Sequence, residues 1–151
     1  MVKLIRVFTT FTIILFLVLL LIVYAFLPVK VGIFYSGNGT AVHEISRNGF
    51  FYSAISIFMI LQLIFYLFKG YVIRFRFQSE KRTNLAVWFR GMFLGVNIFF
   101  ILMLIFIGMA NNAVDYSFSS ILYIAFIGPV LLLIWFFAFP VFYYGSHHSK
   151  K

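Results

Sequence analysis

General acid–base and metal chemistry need carboxylates, imidazoles or thiolates held in matched positions. This 151-residue sequence offers few of them: Glu44, Glu80, Asp115, His43, His147 and His148, and no Cys at all. All six lie outside the long apolar runs, so no ionisable pair is available at membrane depth for proton-coupled transport or intramembrane hydrolysis. The missing Cys also rules out disulfides, thiolate catalysis and zinc–thiolate sites. His43 and Glu44 are neighbours in a strand-prone segment, where adjacent side chains point to opposite faces and do not converge on one substrate. Together with Arg47 they read instead as exposed polar recognition residues on a loop. The terminal pair His147-His148 reads as part of a soluble tail. No catalytic, cofactor-binding or metal-ligating residue follows from this inventory, and the chain is read as a non-enzyme.

Gln62 and Asn97 are the most polar residues deep in the apolar runs, and Arg90 is the one charge within them. An amide in hydrocarbon must find a hydrogen-bond partner, which makes Gln62 and Asn97 candidates for interhelical contact or, with Ser56, for the lining of a neutral path. Counted from the ends of their runs, Gln62 lies about 9 Å deep and Asn97 about 18 Å, so a direct bond between them demands a stagger of the two helices. Arg90 lies about 8 Å into its run, close enough to extend to the headgroups. With Lys69, Arg74, Arg76, Lys81 and Arg82 it forms a basic cluster suited to anionic lipid. Gly91 and Gly95 are one helical turn apart, the GxxxG spacing that lets two helix backbones approach closely, either inside a bundle or against a separate subunit.

The elements that must position these residues follow from composition. With 64% hydrophobic residues, 10% charged residues and a mean hydropathy of +1.09, the chain falls outside globular usage. Apolar runs at 7–27, 50–68, 85–110 and 120–143 are each long enough to cross a hydrocarbon core of roughly 30 Å at about 1.5 Å per residue. The first run is expected to be retained, because it is too long for a signal-peptide core and ends in Leu27-Pro28. The net charge of +9 does not call for a nucleic-acid partner, since position explains it. Ten of the 12 Lys and Arg flank the runs on the side of the termini and of the 69–90 segment; Lys30 and Arg47 alone lie on the other. That is the positive-inside pattern, and it predicts both termini in the cytoplasm. The expected fold is an all-α integral membrane protein of four transmembrane helices, in one domain over 1–151. Gly128-Pro129 is expected to bend the fourth helix.

Between the first two runs, Lys30–Tyr35 and 40–45 are β-prone, and Gly37-Asn38-Gly39 supplies residues tolerant of positive φ. A short hairpin is expected there, docked on the helix ends because two strands alone are marginal. The segment 27–52, LPVKVGIFYSGNGTAVHEISRNGFFY, carries Leu27-Pro28 at the end of the first helix, spaced Val31 and Tyr35, Gly39, and a second helix starting at Phe50. In this layout it resembles a family of small bacterial inner-membrane proteins of unknown function, whose members often form the N-terminal part of Sdp-type immunity proteins. Where that family commonly has a His-Phe pair, this chain has Phe34-Tyr35. The resemblance covers about the first third of the chain. It implies a bacterial inner-membrane location with the loop outside, and no particular activity.

These readings lead to a small membrane protein that works through contacts with membrane lipids and with another membrane protein or further copies of itself, as an accessory or immunity-type component. The competing expectation is an oligomeric transporter or channel with a neutral polar path.

Overall fold

A computed structural model describes residues 2–74, 79–112 and 117–144, with side chains over 4–68, 84–112 and 117–141. Its elements in chain order are α1 (Val2–Phe26), β1 (Lys30–Tyr35), β2 (Ala41–Ser46), α2 (Arg47–Arg74), α3 (Ser79–Asn112), α4 (Phe118–Phe137) and α5 (Phe139–Tyr144). Four stretches, Leu4–Phe26, Arg47–Phe68, Asn84–Asn112 and Phe118–Val141, are long and apolar enough to cross a membrane. The chain is a multi-pass helical membrane protein.

The helices form where the backbone has no water to bond and must satisfy itself. In α1 no Gly or Pro interrupts the run, and its three hydroxyls turn back onto their own helix: Thr9 to the Ile5 carbonyl at 2.8 Å, Thr10 to Arg6 at 3.1 Å and Thr12 to Thr9 at 2.9 Å. Pro28 ends the helix. α2 starts three residues before the expected 50, because Ser46 caps it: the Ser46 hydroxyl accepts the Gly49 N–H at 3.1 Å. It also runs past the expected 68 to Arg74; residues 75–78 lie outside the described residues. The fourth span is not one helix to 143. It breaks at Ala138, and α5 resumes with Pro140 in its first turn, where a missing N–H costs nothing.

The hairpin forms with β2 shifted one residue from the expected position. Its three-residue loop closes through the Gly39 N–H on the Ser36 carbonyl and the Ser36 N–H on the Thr40 carbonyl, both at 2.9 Å. Of the three loop residues only Gly39 takes positive φ, at 84°, as a type I turn followed by a left-handed residue requires. Register shifts between Gly32 and Tyr35 leave part of β1 unmatched by β2.

α3 is the central helix, flanked by α1 on one side and α4 on the other, with α2 packed more lightly. Toward α2 the helices are antiparallel: Phe58 meets Phe100, Phe65 meets Phe93 and Phe68 meets Phe89. The most buried cluster, with Phe16, Leu20, Val31, Phe58 and Leu104, occupies the half of the bundle nearer the hairpin. Phe16 and Phe58 stack with ring centroids 3.8 Å apart. Much of the remaining apolar surface is exposed, including Phe8, Phe11, Phe126, Phe136 and Phe137, as expected of side chains that face lipid.

Candidate functional site

Two polar assemblies and one groove organise the sites that the sequence singles out. The first assembly lies inside the bundle. The Gln62 amide on α2 donates to the Asn97 carbonyl oxygen on α3 at 2.8 Å, and the Asn97 amide donates to Thr12 Oγ1 on α1 at 3.2 Å. Thr12 passes its own proton to the Thr9 carbonyl, so donors point one way through three helices. Asn97 is fully buried. The depth difference expected to separate the two amides is absorbed by the stagger of α3 on α2: Gln62–Asn97 falls in the same antiparallel register as the flanking Phe58–Phe100 and Phe65–Phe93 pairs. Thr12 carries no sequence signal that would have selected it, because a Thr in an apolar helix ordinarily bonds only its own backbone.

The second assembly latches the hairpin to the bundle. Asn111, at the end of α3, accepts the Gly32 N–H at 2.7 Å and donates to the Gly32 carbonyl at 3.1 Å. Its side-chain amide bonds both backbone groups of Gly32, as a neighbouring strand would, in addition to the pairing of Gly32 with Glu44 across the hairpin. Asn111 also donates to the Tyr35 hydroxyl at 2.8 Å, and that hydroxyl donates to the Gly32 carbonyl at 2.8 Å. Burial pushes the Tyr35 phenol above its ordinary value, while the bond from Asn111 pulls in the other direction. Phe118 at the start of α4 lies against the Tyr35 ring and against Gly39, where a Cβ would come within 2.7 Å of it. Asn111 was not among the residues singled out from sequence. An amide immediately after an apolar run looks like an ordinary helix end.

Of the loop residues expected to serve recognition, His43 and Glu44 are exposed on β2, opposite Phe34 and Gly32. The Phe34 ring meets His43 edge-on at 5.9 Å. Arg47 differs from expectation: it is the first residue of α2 and is engaged within the chain. Its guanidinium lies 5.0 Å from the Tyr24 ring centre and its Nη1 reaches the Leu27 carbonyl at 3.5 Å, where a cation suits the C-terminal end of α1. Tyr24 donates to Asn48 at 2.8 Å, completing the brace between α1 and α2.

Gly91 and Gly95 pack against α4 inside the bundle, the first of the two alternatives that their spacing leaves open. A Cβ on Gly91 would come within 2.1 Å of the Trp135 ring, and one on Gly95 within 3.1 Å of Leu132, both on α4. The same helix pair carries a reciprocal brace: Trp88 Nε1 donates to the Trp135 carbonyl at 3.0 Å and Trp135 Nε1 to the Trp88 carbonyl at 2.9 Å. Trp88 therefore holds α4 to α3.

Arg90 borders an open groove of about 420 Å³ between α1, α2 and α3, which Gln62 also lines. A second groove of about 400 Å³ lies under the hairpin, with Ser53 as its one polar lining residue. Ser56 lines neither groove, and Asn97 is sealed from both. Arg76 lies outside the described residues, as do the side chains of Lys69, Arg74, Lys81 and Arg82. Among the described residues no three His, Asp or Glu side chains gather as metal ligands.

No protein-family model, curated protein or solved structure matches this chain.

Proposed function

We propose that this protein is a non-enzymatic accessory or immunity-type component of a bacterial inner membrane, with both termini in the cytoplasm, and that it engages its partner through the hairpin. The observation that carries this reading is a contrast between the two strands. β1 is held from below through its Gly32 and Tyr35 by Asn111 and Phe118, whereas β2 is exposed along nearly its whole length. Val42 and Phe34 are 59% and 62% exposed, beside His43 and Glu44. An unpaired, partly apolar edge on a rigid support is a surface that an extended segment of another protein can pair with. The charge asymmetry and the resemblance of 27–52 to the outer loop of small bacterial membrane proteins support the location. The sealed Asn97 favours contact over transport, because a neutral path would need its amide open to water.

The test is light crosslinking in native membranes, followed by affinity purification in mild detergent and mass spectrometry. A stoichiometric membrane partner is expected, lost with Val42→Asp in the hairpin and retained with Val18→Ala on the lipid face of α1. Capture that is indifferent to Val42→Asp would reject the hairpin as the contact. A single Cys at position 42 should react with an impermeant thiol reagent in intact cells; protection of that Cys, with labelling of one near the N-terminus, would invert the proposed topology.

A further inference from the structure

We infer that the groove beside Arg90 is a binding site for one anionic phospholipid from the leaflet opposite the hairpin, with an acyl chain in the groove and the phosphate on Arg90. Its walls are apolar and aromatic, formed by Ile13 on α1, Met59 and Leu63 on α2, and Phe89 and Phe93 on α3. The exposure of Met59, Leu63 and Tyr66, at 58%, 57% and 70%, shows that the mouth opens sideways, toward lipid. Its lining residues run roughly 10 Å along α2 from Tyr66 to Met59, with Gln62 between them, which gives the cleft a cationic end at Arg90 and a mainly apolar body, the polarity of one amphiphile.

Charge decides among occupants. Arg90 has no hydrogen-bond or ion-pair partner among the described residues. A guanidinium within an apolar span needs an anion that reaches headgroup depth, and its planar donors match a phosphate. A second copy of this chain would supply apolar surface without that anion, since Glu44, Glu80 and Asp115 all lie outside the apolar spans, and Glu80 begins α3 about 15 Å from Arg90 along the axis. The groove under the hairpin provides an internal contrast: it has nearly the same volume and similar walls but no charged lining residue. The inference is independent of the partner proposed for the hairpin.

The test uses the full chain, purified in mild detergent, in mixed micelles with equal phosphatidylglycerol and phosphatidylcholine, read by native mass spectrometry. One phosphatidylglycerol per chain is expected, retained several-fold over phosphatidylcholine. Arg90→Gln should bring the two lipids to parity, and Arg90→Lys should keep part of the preference. Leu63→Trp, which fills the mouth and leaves every charge in place, should lower phosphatidylglycerol retention several-fold. If Arg90→Gln does not yield folded protein, Arg90→Lys and Leu63→Trp decide the matter. Equal retention of both lipids by the unaltered chain would overturn the site. So would a preference that survives Arg90→Gln, or retention that survives Leu63→Trp. Release of the lipid by inorganic phosphate would make it a free-anion site, and disulfide dimers through Leu63→Cys would make the groove a contact between copies; either result rejects the inference.

Discussion

The two flanks of α3 are joined to their neighbours in opposite ways. Toward α4 the helix presents Gly91 and Gly95, an indole lies across the gap, and two Trp–carbonyl bonds close the contact. Toward α2 it presents phenylalanine rings, among the described residues a single interhelical amide bond at Gln62, and grooves beside the contact. Lipid is as apolar as a side chain, so burial by itself does not hold membrane helices together; close van der Waals fit and polar bonds must do so. The α4 flank has both in quantity. The α2 flank has less of each, and it is the flank that leaves room for a lipid.

The largest expected effect is on the tight flank. Gly91→Leu places a side chain where even a Cβ lies 2.1 Å from an indole tethered at its nitrogen. The predicted loss is about 3 kcal/mol, enough to remove the monodisperse peak in size-exclusion chromatography. Survival of a sharp peak with an unchanged melting temperature would mean that α4 moves freely on α3 and that the contrast between flanks is false.

Next comes the single bond of the looser flank. Asn97→Leu leaves Gln62 and Thr12 without their shared partner and is expected to cost about 1.5 kcal/mol, against about 0.6 kcal/mol for Gln62→Leu, which faces the groove and finds lipid or water. Unfolding in mixed detergent–SDS micelles compares the two. Equal losses would show that the Asn97–Thr12 half of the relay carries no weight.

Gly70 sharpens the comparison with an effect of opposite sign. Among the described residues, no side chain or backbone atom lies near the Cβ that would replace its hydrogen. Gly70→Ala should therefore stabilise α2 by about 0.5–1 kcal/mol through helix propensity alone, seen as a higher melting temperature. Destabilisation would reveal a close neighbour on the looser flank.

The smallest effect concerns the latch and pH. Because burial raises the Tyr35 phenol above its ordinary 10.0, the docked hairpin favours the protonated form. That contribution is intact below pH 10 and is lost as pH rises through the raised value. Hydrogen exchange of β1 amides should accelerate there more than exchange of mid-α3 amides, after correction for base catalysis, and Tyr35→Phe should remove the difference. Identical pH dependence in both proteins would leave the phenol no part in docking.

Much of this molecule is legible in its sequence, and the reason is the solvent. Unbroken apolar length is the one way to cross hydrocarbon with every backbone group bonded, so the spans announce themselves. The hairpin is legible too, since Gly39 must be placed where φ turns positive. Helix ends are less so: Ser46 as a cap and Pro140 as a restart depend on local geometry that hydropathy does not carry. The contacts are the least legible. The spacing of Gly91 and Gly95 announces a close approach without saying to which helix, and the depth of Gln62 and Asn97 without the interhelical stagger points away from the bond they make.

By itself the sequence determined four apolar spans, a hairpin between the first two, and the asymmetry of charge along the chain, because each follows from residue type and one-dimensional spacing. Only the tertiary structure decided that Asn97 joins three helices, that Asn111 bonds both backbone groups of Gly32, that the glycine face belongs to α4, and that Arg90 opens onto a groove. Those facts depend on the rotation and stagger of one helix against the next. Both are set by side-chain packing between segments far apart in the chain, and a periodic pattern within one helix contains neither.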